Sequence, residues 1–241
     1  MKLQHGRMTI QLHQLSDGGS TRSGNSPLSP PLLLLHALGS SAEEWGSDWD
    51  GNGAEQELWN GPVYALDFVG HGRSDHVTGR YYYPELFLID ADRALEEIGD
   101  RACVVGAGIG AYVATLLAGS RPDRVPAALL RPGRGLVGGA DAPDHDRPPE
   151  SIDYWEAGIR SAALAYRAAT DPFVATCEQD IRPIDYVSDF AQAARRLLFS
   201  RSDDEGLRED GSLSWWSFAK KSASSESAPA DLAAALRLLA A

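Results

Sequence analysis

Three glycines at alternate positions, Gly106, Gly108 and Gly110, separate an apolar run from a helical repeat, and they constrain this chain more than any other feature. Residues 102–105 read Ala-Cys-Val-Val, which has the length and composition of a buried strand. From Ile109 onward apolar residues recur at helical spacing, at Ile109, Val113, Leu116 and Leu117. A strand that becomes a helix within so few residues needs a sharp bend, whose central residue is expected at positive φ. A side chain held at such an angle costs about 1–3 kcal/mol, whereas glycine has no Cβ to clash. A phosphate-binding loop fits less well, because the spacing is not Gly-x-Gly-x-x-Gly and no Lys-Ser/Thr pair follows.

The rest of the chain repeats the alternation of strand and helix. A hairpin is predicted over 2–14 around His5-Gly6-Arg7, and strands over 30–36, 62–68, 126–130 and 197–200. Helices are predicted over 83–98, 152–170, 183–198, 215–218 and 228–240, with a further start at Ala42 capped by Ser40 or Ser41. In the 83–98 segment Leu86, Ile89, Ala94, Leu95 and Ile98 form the apolar side. Asp90, Asp92, Glu96 and Glu97 are assigned to the polar one. Residues 133–149 are a Gly/Pro/Asp-rich excursion, and 202–211 an acidic, exposed stretch. Strands interleaved with helices imply an α/β fold with a mainly parallel sheet.

Composition narrows the function classes. A formal net charge of −12 argues against nucleic acid and anionic membranes, both of which select a basic face. The two cysteines, Cys103 and Cys177, make neither a disulfide framework nor a Cys-x-x-Cys metal signal. No metal is expected: His71 and His76 lie five apart beside Asp75, without a His-x-x-x-His or Glu pairing. No cofactor motif is present. With no apolar stretch near the start and none long enough for a span, the expected location is cytoplasmic.

Two further motifs precede the glycine turn. The first predicted parallel strand ends in His36-Ala37-Leu38-Gly39, and the next in Asp67-Phe68-Val69-Gly70-His71-Gly72-Arg73-Ser74. Taken with Gly106 to Gly110, in that order, they resemble the α/β-hydrolase superfamily. The resemblance implies an α/β-hydrolase fold: a mainly parallel central sheet flanked by helices, in a single domain over 1–241. It also implies a short helical cap insertion at about 134–194. The glycine turn then matches the nucleophile elbow, Gly-x-Ser-x-Gly in its usual form. Glycine at its centre followed by Gly110-Ala111-Tyr112 is locally similar to the N-myc downstream-regulated family, whose members keep the fold without hydrolytic activity.

The resemblance places a Ser-His-Asp triad at positions that can be checked. The nucleophile position is Gly108. The acid would follow Leu130, where the chain reads Arg131-Pro132-Gly133, or Phe199, where Asp203 and Asp204 stand. The base would be a late histidine, yet the six are His5, His13, His36, His71, His76 and His145. Acyl transfer by this route needs nucleophile and base together. What remains is the oxyanion hole, whose matching amides are those of Ile109 and Leu38. The expected ligand site is therefore His36, Leu38, Gly108 and Ile109, receiving a small apolar or carbonyl-containing molecule. The expected role is a small-ligand binder or regulatory pseudoenzyme rather than a serine hydrolase. The alternative is a hydrolase or lyase whose chemistry is recruited from His36, His71 or Ser74.

Overall fold

The computed structural model describes residues 1–18, 29–49, 59–77, 81–138, 170–178, 182–200 and 215–241. Its strands are β1 (Lys2–His5), β2 (Met8–Ser16), β3 (Leu32–Leu35), β4 (Val63–Asp67), β5 (Cys103–Ala107), β6 (Ala128–Arg131), β7 (Leu197–Ser200) and β8 (Ser225–Ala228). They form one eight-stranded sheet in the order β1-β2-β4-β3-β5-β6-β7-β8. The hairpin β1–β2 adds antiparallel to β4, and every other pairing is parallel. β3 and β5 sit at the centre, where Leu35 pairs with Gly106.

The central strands are apolar on both faces because both faces are covered. Leu33, Leu35, Val104, Leu130 and Phe199 point into one core, and Leu32, Leu34, Val105, Leu129 and Leu198 into the other. This is the period-2 alternation of a strand buried on two sides. Helices α1 (Pro84–Ile98), α2 (Ile109–Ser120), α3 (Ile184–Ala193) and α4 (Trp215–Ala219) build the first core. The second is closed by α5 (Leu232–Ala240) and a 3₁₀ helix over Ala42–Asp48, whose Trp45 packs with Trp49 and Trp59. Ser41 caps that 3₁₀ helix by accepting from the Glu43 amide.

Several expectations are corrected. Residues 183–198 are not one helix: α3 ends at Ala193 and Leu197 opens β7. The closing helix is shorter than predicted, because Ser225–Ala228 adds to the sheet edge as β8, a strand too polar to show apolar alternation. On α1 the faces are misassigned at two positions, since Ile89 is exposed and Asp90 is fully buried. Asp90 is drawn inward because Oδ2 accepts the Val69 amide at 2.8 Å and Oδ1 meets His5 Nδ1 at 2.6 Å. Apart from these corrections, the segment expected as a cap at about 134–194 ends in α3, which packs against α2. Residues 139–169 and 179–181 of that segment lie outside the described residues, as do the helix predicted over 152–170 and the acidic stretch 202–211.

The α2–α3 packing depends on Gly119. A Cβ there would lie 2.3 Å from the carbonyl oxygen of Phe190 on α3, a backbone atom with no rotamer to escape into. Alanine would add about 1 kcal/mol of helix propensity, but forcing helices apart costs typically 1–3 kcal/mol. Gly119→Ala is therefore expected to lower stability by up to about 2 kcal/mol, seen as a reduced urea midpoint at unchanged slope. A raised midpoint would show that the helices accommodate the methyl group.

Candidate functional site

The glycine turn lies where β5 meets α2, at the carboxyl edge of the parallel strands. Gly108 takes φ 55° and ψ −121°, and Ile109 begins the helix. A Cβ at position 108 would lie 2.1 Å from the carbonyl oxygen of Arg134 and 2.7 Å from the carbonyl carbon of Gly133. The space a side chain would occupy is filled by residues 133–134, which cross directly over the turn. The Gly108 amide donates to the Arg131 carbonyl at 3.1 Å. The Ile109 and Leu38 amides both donate to the Arg134 carbonyl, at 3.0 and 3.1 Å. The two donors expected to receive a ligand oxygen thus already share one, supplied by the chain itself.

Residues 131–136 are clipped in place from several elements. The Leu136 amide donates to the Gly133 carbonyl at 3.3 Å, closing a tight turn. Buried Arg182 donates to the carbonyls of Gly135 and Cys177, at 3.1 and 2.8 Å. The Trp215 indole donates to the Leu136 carbonyl at 2.7 Å. The Arg134 guanidinium pairs with Glu178 at 2.5 Å on the exposed side. Sequence reasoning missed Arg134, Arg182 and Trp215 as site residues. Pro132-Gly133-Arg134-Gly135 does read as a turn, but where a turn lies relative to a distant strand end is a tertiary matter.

The motif around Asp67 is held by hydrogen bonds throughout. Asp67 Oδ2 meets His13 Nε2 at 2.8 Å and accepts the Arg73 amide at 2.9 Å, while Oδ1 accepts the Ala42 amide at 2.7 Å. Ser74 donates to the Asp67 carbonyl at 2.6 Å and accepts the Gln11 amide at 2.8 Å. Its hydroxyl therefore joins β2, β4 and the loop. The model for the alpha/beta hydrolase family matches residues 32–238 of this chain. The chain belongs to that family.

Solved structures similar to this α/β-hydrolase chain include a hypothetical protein of Pseudomonas aeruginosa PAO1, at 16% identity and a TM-score of 0.61, covering 100% of this chain and 96% of the other. The thioesterase domain from the curacin biosynthetic pathway is 17% identical with a TM-score of 0.60, covering 100% and 94%. The bottromycin epimerase BotH, solved with bottromycin A2, is 13% identical with a TM-score of 0.55, covering 100% and 93%. At these identities the likeness is one of fold. No curated protein sequence matches this chain significantly.

The two histidines singled out in this α/β-hydrolase chain stand side by side, fully buried, with ring centroids 4.8 Å apart. Their partners settle their tautomers. His36 Nδ1 donates to the Ala37 carbonyl at 2.7 Å, and its Nε2 accepts the Phe68 amide at 3.2 Å. His71 Nδ1 donates to the Val69 carbonyl at 3.1 Å, and its Nε2 accepts the Gly39 amide at 3.1 Å. Each ring spends both nitrogens on backbone, so neither has a lone pair left for a substrate proton. His36 thus braces the buried ends of β3 and β4 through backbone hydrogen bonds. His71 anchors Gly39 and so holds the loop that carries the Leu38 amide. The other described histidines face carboxylates instead: His5 meets Asp90, His13 meets Asp67, and His76 lies 3.7 Å from Asp171. Asp171 in turn accepts from the Tyr82 hydroxyl at 2.9 Å. Asp203, Asp204 and His145 lie outside the described residues.

Burial pushes the pKa of His36 down, opposed in part by its bond to the Ala37 carbonyl. Burial pushes His71 down further, helped by the neighbouring His36. Burial also raises the Asp67 carboxyl, but bonds from His13, Ala42 and Arg73 outweigh it and hold that group below its usual range. For a histidine whose folded pKa is lowered, the unfolded chain binds more protons below its ordinary value. Stability therefore falls as pH drops through about 6.5, by at most about 1.4 kcal/mol per pH unit for each ring. Asp90, raised by burial, acts in the opposite sense, its contribution falling as pH rises above the ordinary carboxylate value. Urea midpoints are expected to decline steadily between about pH 7.5 and 5.5. A midpoint flat across that interval would mean that the two rings are not held neutral.

Proposed function

We propose that this protein is a regulatory pseudoenzyme or small-ligand binder of the α/β-hydrolase fold, which does not perform acyl transfer by the Ser-His-Asp route. One observation carries the reading: the point a side chain would occupy at residue 108 is 2.1 Å from the backbone oxygen of Arg134. A serine hydroxyl has no room there, and the neighbouring amides of Leu38 and Ile109 are engaged by that same oxygen. Removing the nucleophile from a working triad costs a factor of about 10⁶ in turnover. Turnover at ordinary rates would need another base, and the ring nitrogens of His36 and His71 are both committed to backbone.

The reading keeps the fold for recognition. A carbonyl- or carboxylate-bearing molecule suits two convergent amides at the head of a helix, whose dipole favours negative charge. A short cap between β6 and β7, within 134–194, and a cytoplasmic location belong to the same proposal. No described helix is long and apolar enough to cross a membrane. Solved neighbours described as a thioesterase domain and as an epimerase illustrate that this fold does not dictate one chemistry.

The purified protein is expected to resist labelling by fluorophosphonate probes and to leave p-nitrophenyl esters intact. Gly108→Ser is expected to gain no esterase activity, because both ring nitrogens of His36 and of His71 are engaged by backbone and cannot take the hydroxyl proton. Ester turnover abolished by replacing one particular serine would overturn the proposal. Turnover abolished by His36→Ala or His71→Ala, in variants that keep the native fold, would favour the recruited-base alternative instead.

A further inference from the structure

The occupant of the two-amide hole is a peptide carbonyl, the same chemical group that such a hole polarises in acyl transfer. Arg134 supplies one oxygen to two donors on different elements: Leu38 in the loop after β3 and Ile109 at the first turn of α2. The approach is close on both sides. A Cβ at Gly133 would lie 2.8 Å from the Gly108 nitrogen, and one at Gly108 would strike Arg134. Glycine at both positions is what lets the two backbones meet.

The segment is unevenly anchored. Leu136 is buried, and its carbonyl accepts from Trp215. Gly133 and Arg134, at the tip, are exposed, and the Arg134–Glu178 pair is an exposed one of the kind that contributes little. Segments with few buried contacts open locally well before the core does. The tip is thus the part free to lift, with Leu136 remaining behind as its fixed end.

We infer that residues 131–136 form a self-supplied plug: the Arg134 carbonyl is the resident ligand of the Leu38–Ile109 hole, and an outside carbonyl or carboxylate reaches those amides only when Gly133 and Arg134 withdraw. Gly108 is the residue that admits the plug. The plug also works as an internal competitor. Any ligand binding at the hole binds more weakly than its contacts alone imply, by the fraction of molecules in which the plug is lifted. The inference goes beyond the absence of acyl transfer and does not depend on it, since a plugged hole belongs as readily to a gated enzyme as to a binder.

Amide hydrogen exchange read by NMR on the full chain tests this without reference to activity. In the wild-type protein, the Leu38 and Ile109 amides are expected to be protected, with protection factors agreeing within about fivefold, because one opening frees both. The amides of β5 should exchange more slowly still. In Gly108→Ala the added methyl cannot coexist with Arg134, so both amides should lose protection by more than about tenfold while β5 keeps its own. Unprotected amides in the wild type, wild-type factors differing by more than fivefold, or a folded Gly108→Ala with protection retained would each overturn the plug. Should Gly108→Ala not fold, the wild-type comparison decides alone. Esterase activity found in the same sample would count against the proposed function and leave the plug standing.

Discussion

A single backbone oxygen, that of Arg134, ties together the carboxyl edge of the sheet. It answers the Leu38 amide after β3 and the Ile109 amide at the head of α2, while the adjacent Gly108 amide is answered by Arg131. Leu38 and Ile109 are almost completely buried. A buried donor left without a partner costs about 1–3 kcal/mol. Two such donors converging on one point will bind whatever acceptor is within reach. With glycine at 108 the nearest acceptor is the chain that follows β6, and nothing at the turn holds it off.

Beneath that contact lies a polar layer of unusual completeness for side chains so deeply buried. Asp67 joins β2, the Arg73 loop and the start of the 3₁₀ helix through separate hydrogen bonds. His36, His71 and Ser74 each use donor and acceptor alike on backbone groups. Inside a low-dielectric core such a network is stabilising only when every member is satisfied, and here the members singled out are. The same satisfaction leaves the polar atoms of all three side chains engaged by backbone. His71 can gain a proton only by giving up the Gly39 amide that its Nε2 accepts, so its neutral ring holds the loop that carries Leu38.

Much of this architecture was legible in the residues. Four consecutive leucines announced a strand covered on both faces, the glycines at 106, 108 and 110 announced a sharp strand-to-helix turn, and the order of motifs announced the family. The errors have local causes. Ser225–Ala228 carries no apolar pattern because it is an edge strand paired through backbone, and Asp90 looks like a surface residue until the His5 and Val69 partners that bury it are seen. Both depend on residues more than twenty positions away.

What the sequence determined by itself is the kind of chain this is: the period-2 and helical repeats set the α/β layers, and glycine at 108 left the middle of the turn without a side chain. What only the tertiary structure decided is what stands over that glycine. No pattern in Pro132-Gly133-Arg134-Gly135 points to Leu38 or Ile109, because three strands and a helix must be assembled before their amides converge on one oxygen. The inward turning of His36 and His71 was decided in the same way, by backbone partners that exist only once β3 and β4 lie side by side.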